Sequence, residues 1–585
     1  MPEKERIKQD ILTAAGVITP ELVLKNARIV NVFSEDIEEA DIAIARRHIV
    51  GIGHYEGEKE IDLGGSYVCP GFIDGHIHLE SSMVSPYEFE KAVLPHGTTA
   101  VVTDPHEIAN VSGTEGIQYM MDATAQLDMD VFFMLPSCVP ATDLDEAGAV
   151  LLARQLRPLY SEKKVLGLAE LMNAFGTIQA DEKIIDKIYD ALSKGKLIDG
   201  HAPGLTGNAL NAYVIAGVGT DHECSNMEEA LEKLRRGQWI MVRDGTAAKN
   251  LEALIELCND PYYHRCMFVT DDKHPGDLIG DGHIDGIIRK AVSLGADPIK
   301  AIKMGSLHTA QCFGIKDKGA IAPGYSADLV VFSDLKELKI EKVFKNGKLL
   351  AENGKSLIGE ERKPKYSFED ESHYLNVYHS FRMDDITEED FALEPKGSNM
   401  RIIQLVDHEL LTLEKQATWT QTDGLAGGVN LAEDIVKLAV LERHKGSGHV
   451  GLGFLSGYGL KSGAIATSVA HDSHNLIVAG VTDADMALAA NTVRESEGGL
   501  AVVKDGKVLG QLPLPIGGLM SLKSVEEVDE QLEALKRHAH DLGVSSDIDA
   551  FMTLAFVSLP VIPKLRLNTL GLVDVEKQEI VSVTW

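Results

Sequence analysis

The chain has 585 residues, 44% of them hydrophobic, and a formal net charge of −33. That length exceeds one ordinary core and predicts two to four domains. The charge argues against non-specific binding to nucleic acid or an anionic membrane, so neither is expected as a partner. The six cysteines (Cys69, Cys138, Cys224, Cys258, Cys266 and Cys312) are scattered with no C-x-x-C pair, which excludes a disulfide scaffold and a thiolate zinc site. The segment Met1-Pro2-Glu3-Lys4-Glu5-Arg6 is charged with no apolar signal core behind it, and no apolar run reaches bilayer length. A cytoplasmic protein is expected.

Residues 21–33, 41–52 and 58–63 are short, Val- and Ile-rich strand candidates that form a small sheet. A matching set returns much later, at 319–332 and at 343–350, where Asn346-Gly347 marks a hairpin. One β-sandwich domain built from 1–69 and 316–365 is expected, on the two sides of a larger unit. Within 70–315, strand candidates at 68–74, 98–104, 130–136, 164–170, 196–200, 215–220, 238–242 and 266–270 alternate with helical stretches. The helical stretches are 114–127, 146–157, 182–193, 227–236, 249–258 and 285–294. The pattern predicts an α/β fold, a (β/α)8 TIM barrel, with a doubly wound open sheet as the structural alternative. The charged stretch 360–375 reads as a linker. A C-terminal α+β domain over 376–585 follows, with strands at 401–406, 448–455 and 500–503 and helices at 431–441, 483–496 and 524–541. Its glycine-rich run 446–453 lacks the Lys-Ser/Thr of a phosphate loop.

Barrel enzymes place reactive groups where strands end. Here the first strand runs into His76-Ile77-His78, and residues two apart in extended chain point to one side. The second leads to Asp104-Pro105-His106-Glu107, the fourth to Glu170, the fifth to Asp199-Gly200-His201, the sixth to Asp221-His222-Glu223 and the eighth to Asp271-Asp272. Neutral imidazoles and carboxylates are donors for Mn, Fe, Zn or Ni. A two-cation site is expected, with His76 and His78 on one ion, His201 and His222 on the other, and Glu170 bridging. Asp271 serves as ligand and as proton acceptor from the attacking water. Asp272 is the neighbouring alternative for that role. His106 and Glu107 are catalytic candidates as general acid, and equally an extra metal contact, a supporting pair or ordinary loop residues.

Pro70-Gly71-Phe72-Ile73-Asp74-Gly75-His76-Ile77-His78 resembles the entry motif of the amidohydrolase superfamily, and 319–332 resembles its return into the flanking sheet. His78-Leu79-Glu80-Ser81-Ser82-Met83, Thr103–Asn110, Asp199–Gly204, Thr220–Glu223 and Thr270-Asp271-Asp272 resemble the bacterial adenine deaminase family more closely. So does Val469–Asn475 in the C-terminal domain. The resemblance implies hydrolysis of adenine to hypoxanthine and ammonia in purine salvage, with two divalent ions, Mn2+ first and Fe2+ second. Many superfamily members bridge their metals with a carbamylated lysine; Glu170 stands at that place here, with Lys163 and Lys164 at the strand start. Ser473, His474 and Asn475 are expected either to close over the substrate or to form a packing or dimer surface. A homodimer or higher homo-oligomer is expected. The rivals are another binuclear amidohydrolase acting on a cyclic amide or amidine, which would share every ligand, and a non-catalytic barrel, which would have lost some.

Overall fold

A computed structural model describes residues 3–246, 248–363, 368–406 and 409–585, with side chains left out at 368–370. Five parallel strands follow chain order in one sheet: Phe72–Ile77, Thr98–Thr103, Asp130–Leu135, Val165–Leu171 and Leu197–Gly200. Three more, Thr220–Asp221, Trp239–Arg243 and Cys266–Val269, form a second parallel sheet. Single parallel bridges join the two arcs at both ends, Ile198 to Val218 and Ile77 to Asp271. Between the arcs, Val102, Met134, Ala169, Met241, Met267 and Val269 pack as one buried cluster drawn from five strands. This is an α/β architecture of the TIM-barrel type, filled by side chains rather than hollow.

Three sequence expectations inside this unit change. The sixth strand is only Thr220–Asp221, because the helix Gly207–Ile215 occupies the start of the segment and Gly217 (φ +101°) turns the chain before the sheet begins. The expected helix 146–157 is a loop followed by the single turn Ala153–Leu156. At Gly148 a Cβ would stand 1.9 Å from the Val111 carbonyl, so the chain there lies flat against its neighbour. The expected helix 249–258 is irregular until the 3-10 turn Ile255–Cys258. The Asn250 side chain holds it as a loop, accepting from the Arg243 amide and donating to the His222 and Cys224 carbonyls.

Both flanking pieces of chain enter one nine-stranded sheet, where Leu329–Phe332 pairs with Tyr67–Pro70 and the latter with Leu22–Asn31. Leu24, Ile29, Ile42, Leu329 and Phe344 share its core, so the two pieces form one hydrogen-bonded unit. Buried Lys318 and Lys345 each pair with Asp130 of the third barrel strand and with Asp328 of the sheet, which rivets the sheet to the barrel.

The C-terminal region builds an eight-stranded sheet and a three-stranded one. Its expected strands and the helices Asp483–Glu495 and Val525–Asp541 are present. The expected helix 431–441 is instead the strand Ile435–Leu441, buried at every position. It lies between two antiparallel neighbours and is covered on both faces, which a helix-like apolar run satisfies equally well. Lys437, inside this strand, is neutralised by Asp483 and the Phe391 carbonyl. Of the expected linker, 364–367 lie outside the described residues. Glu360, Arg362 and Lys363 are docked through Lys91, Asp128 and Glu88 rather than free. The C-terminal unit sits on the strand-end face of the barrel: Asn475 donates to the Glu146 carbonyl, Asn568 to the Leu144 carbonyl, and Thr569 to the Glu146 carboxylate. Among the described residues no helix is long and apolar enough to cross a membrane.

Candidate active site

The carboxylate of Glu170, at the end of the fourth strand, is the hub. Its Oε1 lies 3.4 Å from His78 Nε2 and 3.3 Å from His106 Nδ1. Its Oε2 lies 2.7 Å from His201 Nδ1 and 3.4 Å from His222 Nε2. Histidines from both arcs thus converge on the two oxygens of one group, which is what a bridging carboxylate requires. Asp271 Oδ1 faces the first pair, 3.1 Å from His78 Nε2 and 3.8 Å from His76 Nε2. All six residues expected as ligands (His76, His78, Glu170, His201, His222 and Asp271) are brought together, and the carboxylate that meets the imidazoles is Asp271, not Asp272.

The backbone explains that choice. Asp271 has φ +61°, the left-handed region, which costs a non-glycine residue of order 1 kcal/mol. The cost is offset where the first and eighth strands meet: the Asp271 amide donates to the His76 carbonyl, and the His78 amide to the Asp271 carbonyl. The turn aims the Asp271 side chain inward.

The donor set fits divalent cations. His76 Nδ1 lies 2.9 Å from the Asp199 carboxylate and His78 Nδ1 lies 3.0 Å from the Asp104 carbonyl. A histidine that gives one N–H to such a partner turns a bare nitrogen the other way, as metal-binding imidazoles do. His76 Nε2 and His222 Nδ1 are buried with no hydrogen-bond partner among the described residues. Ligand atoms of His76, His78 and Asp271 lie within 4.8 Å of one another, as do those of His78, Asp104, His106 and Glu170. His106 therefore stands within reach of the ligand cluster, with its Nδ1 also 2.8 Å from Asp104.

Burial works against charge on Glu170, yet the imidazoles of His201, His222 and His78 hold it well below the usual carboxylate range. Burial likewise opposes ionised Asp271, but Arg243 and His78 hold it well below that range too. Arg243, at the end of the seventh strand, hydrogen-bonds Asp271 and reaches Glu223 at 2.5 Å. Glu107 forms a second focus. Burial opposes its charge, but His471, His474 and His106 keep it well below the ordinary glutamate range. Its Oε1 is 2.9 Å from His471 Nδ1, and Oε2 is hydrogen-bonded by His474 Nε2.

The cluster opens into a pocket of about 430 Å3. The barrel supplies a polar floor. The C-terminal region supplies a largely apolar roof of Leu410, Leu411, Phe556, Leu559, Val561 and Ile562. Of the C-terminal residues expected at the substrate, Ser473, His474 and Asn475 are not on the pocket wall; their neighbours His471 and Asp472 are. Ser473 and Asn475 are tied elsewhere: the Ser473 carbonyl lies 2.7 Å from His444 Nε2, and Asn475 accepts from the Arg443 amide and donates to the Glu146 carbonyl. His474 lies behind the wall, on Glu107. The sequence reading gave no site role to Asp199, Glu223, Arg243, His471 or the apolar roof. The strand-end rule applied to the seventh strand finds Arg243. No local pattern finds the roof, which is assembled from segments more than 130 residues apart in sequence.

Residues 67–350 match the amidohydrolase family and residues 409–579 match the adenine deaminase C-terminal domain. Adenine deaminase 2 of Carboxydothermus hydrogenoformans is 48% identical over 578 residues, covering 99% of each chain. The adenine deaminase of Kosmotoga olearia is 47% identical over 576 residues and that of Bacillus pumilus 46% over 574, each covering 98% of both chains. With identity of this level running from end to end and the C-terminal domain matched in its own right, the chain belongs to the adenine deaminase family of amidohydrolases.

Proposed function

We propose that this chain hydrolyses adenine to hypoxanthine and ammonia in purine salvage, as a cytoplasmic enzyme. The observation that carries the reading is the convergence of four histidines from both arcs on the two oxygens of Glu170, under an apolar roof suited to a flat heterocycle. The domain reading is a closed (β/α)8 barrel over 70–315, a discontinuous β-sandwich from 1–69 and 316–365, and a C-terminal α+β domain over 376–585. The bridges at both ends of the arcs and the shared flanking sheet support it.

His76, His78 and Asp271 would hold one divalent cation and His201 and His222 the other, with Glu170 between them. The all-nitrogen-and-oxygen set suits Mn2+, with Fe2+ second. When bound, the ions supply Lewis acidity that brings water into the nucleophilic range near neutral pH. Asp271, kept ionised beside Arg243, accepts a proton from the attacking water and returns it to the leaving amine. His106 leans on Asp104 and Glu170 and keeps the second strand's end against the cluster. Of the roles open to Glu107 from sequence, its contacts favour that of a supporting anion, which acts from the opposite side and gathers imidazoles at the pocket wall. The roof residues exclude water and offer aromatic and aliphatic surface to the purine ring, Phe556 above all.

A homodimer or higher oligomer is the proposed working assembly. Phe175, Tyr189, Leu192 and Ile215 are exposed apolar side chains on the helices Ala174–Ile178, Glu182–Ser193 and Gly207–Ile215, the first packed against the other two.

The deciding assay is ammonia release from adenine by Mn2+-loaded protein, with adenosine and hydantoin alongside. Rapid release from adenine alone is expected. Silence on adenine with two ions bound per chain overturns the substrate and leaves the rival reading, a hydrolase of another cyclic amide or amidine.

A further inference from the structure

The C-terminal domain puts one ring on the pocket wall that the barrel does not supply. His471 is stacked on Phe556, with centroids 4.4 Å apart and planes at 17°. Its Nδ1 is anchored on Glu107 at 2.9 Å, and the ring lines the pocket. His474 binds the other oxygen of the same carboxylate, but its protonation is fixed by its surroundings. The Ala470 amide donates to His474 Nδ1 at 3.1 Å, so that nitrogen is bare and the proton sits on Nε2, facing Glu107. His474 is spent as a neutral clamp behind the wall. His471 has one nitrogen on the anion and the other available to the cavity, the arrangement by which a carboxylate orients a histidine for proton transfer.

We propose that His471 is the proton donor to the ring nitrogen beside the reacting carbon of the substrate, with Glu107 as the group that positions it. The proposal rests on the deaminase reading above. The step balances without another reactant. As the water oxygen bonds to C6, the C6=N1 pair moves to N1, which takes the proton of the His471 imidazolium. Asp271 takes one water proton and delivers it to the amine. The C6–N bond breaks with its pair on departing ammonia. The remaining hydroxyl proton returns to His471 as the carbonyl forms. Hypoxanthine, ammonia and the original imidazolium result.

The surroundings favour a protonated ring. Burial opposes it, but Glu107, with Asp272 and Asp472 nearby, raises His471 to about 9. His106 and His474 are the other titratable groups gathered on Glu107. Burial leaves His474 at about 4 against the pull of Glu107, with His471 and Arg443 adding to the fall, in keeping with its neutral tautomer.

The test uses full-length Mn2+-loaded protein. His471→Gln is expected to lower kcat by about 10²- to 10⁴-fold, with KM little changed, both ions retained and the melting temperature unmoved. The parent protein should lose rate at alkaline pH as His471 deprotonates, and that fall should be absent in the variant. His474→Gln should cost less than about a tenth of that factor. In His471→Ala, added imidazole should restore turnover, a readout that a packing role would not move. Turnover within twofold of the parent in His471→Gln overturns the proposal, as does lost turnover that tracks lost metal with no imidazole rescue in His471→Ala. An inactive parent protein with full metal sinks the substrate reading itself, so the two failures are distinguishable.

Discussion

The floor and the roof of the pocket are built by opposite means. The floor's candidate ligands stand in or just past the ends of parallel strands, and at Asp271 the direction is set by backbone hydrogen bonds to the neighbouring strand. The roof is gathered from loops and a short helix around residues 410, 471 and 556–563, placed only because a separate domain docks there. The floor is preorganised by the fold that carries it, whereas the roof depends on an interface. The ligand cluster and the base Asp271 belong to the floor. Desolvation and substrate shape belong to the roof, which contributes chemistry only at His471, where Glu107 of the barrel fixes the ring.

That contrast breaks most directly at Asp271. Asp271→Asn keeps the shape and removes the base; kcat should fall by about 10²- to 10⁴-fold, measured as ammonia release beside metal content. Retained turnover would show that the floor is not where the proton moves. Lys233 sharpens the contrast from behind. It is completely buried on the helix Met227–Arg235, with its ammonium on the Ala202 carbonyl, Asp221 and Glu229, so it ties the loop after His201 to the residue before His222. Lys233→Met leaves the buried carboxylates of Asp221 and Glu229 without their counter-charge and should destabilise the fold by about 3–5 kcal/mol. It should also weaken the binding of one ion more than the other. Unfolding in denaturant and metal titration read these two effects separately, and equal loss of both ions would count against a local tie.

Asp199→Ala removes the carboxylate that orients His76. Metal affinity should drop by about 10- to 100-fold, and excess Mn2+ should recover turnover. Failure to recover would mean that Asp199 does more than aim a ligand. The smallest effect is expected on the apolar part of the roof. Phe556→Ala removes the ring stacked on His471 at the pocket wall; about tenfold in KM, the scale of one lost aromatic contact, should appear with metal binding intact. A loss of metal in this variant would erase the distinction between floor and roof.

Much of the floor was legible because a strand alternates and a barrel repeats. His76 and His78 two residues apart, and acidic or imidazole residues just after six apolar runs, mark the same point in successive units. The choice of Asp271 over Asp272 was legible only from its place directly after the apolar run; the reason it faces the imidazoles, one left-handed backbone angle, was not. The strand at 435–441 was mistaken for a helix because a run buried on every side carries no periodicity. The stretch 473–475, expected either at the substrate or as a packing surface, does not line the pocket, whereas His471 and Asp472 do. A loop has no period, so only its docked path decides which side chain faces the cavity.

From sequence alone, then, followed the α/β class, the entry and return of the flanking sheet, the six candidate ligands and the substrate class implied by the resemblance. Strand ends and their donors are local properties, repeated at intervals that a linear reading detects. The tertiary structure alone decided that Glu107 is clamped as an anion, that Arg243 holds Asp271, that His471 rather than His474 meets the pocket, and that an apolar roof closes it. Each of these depends on groups distant in the chain brought within hydrogen-bond or packing distance, and burial then sets their charge.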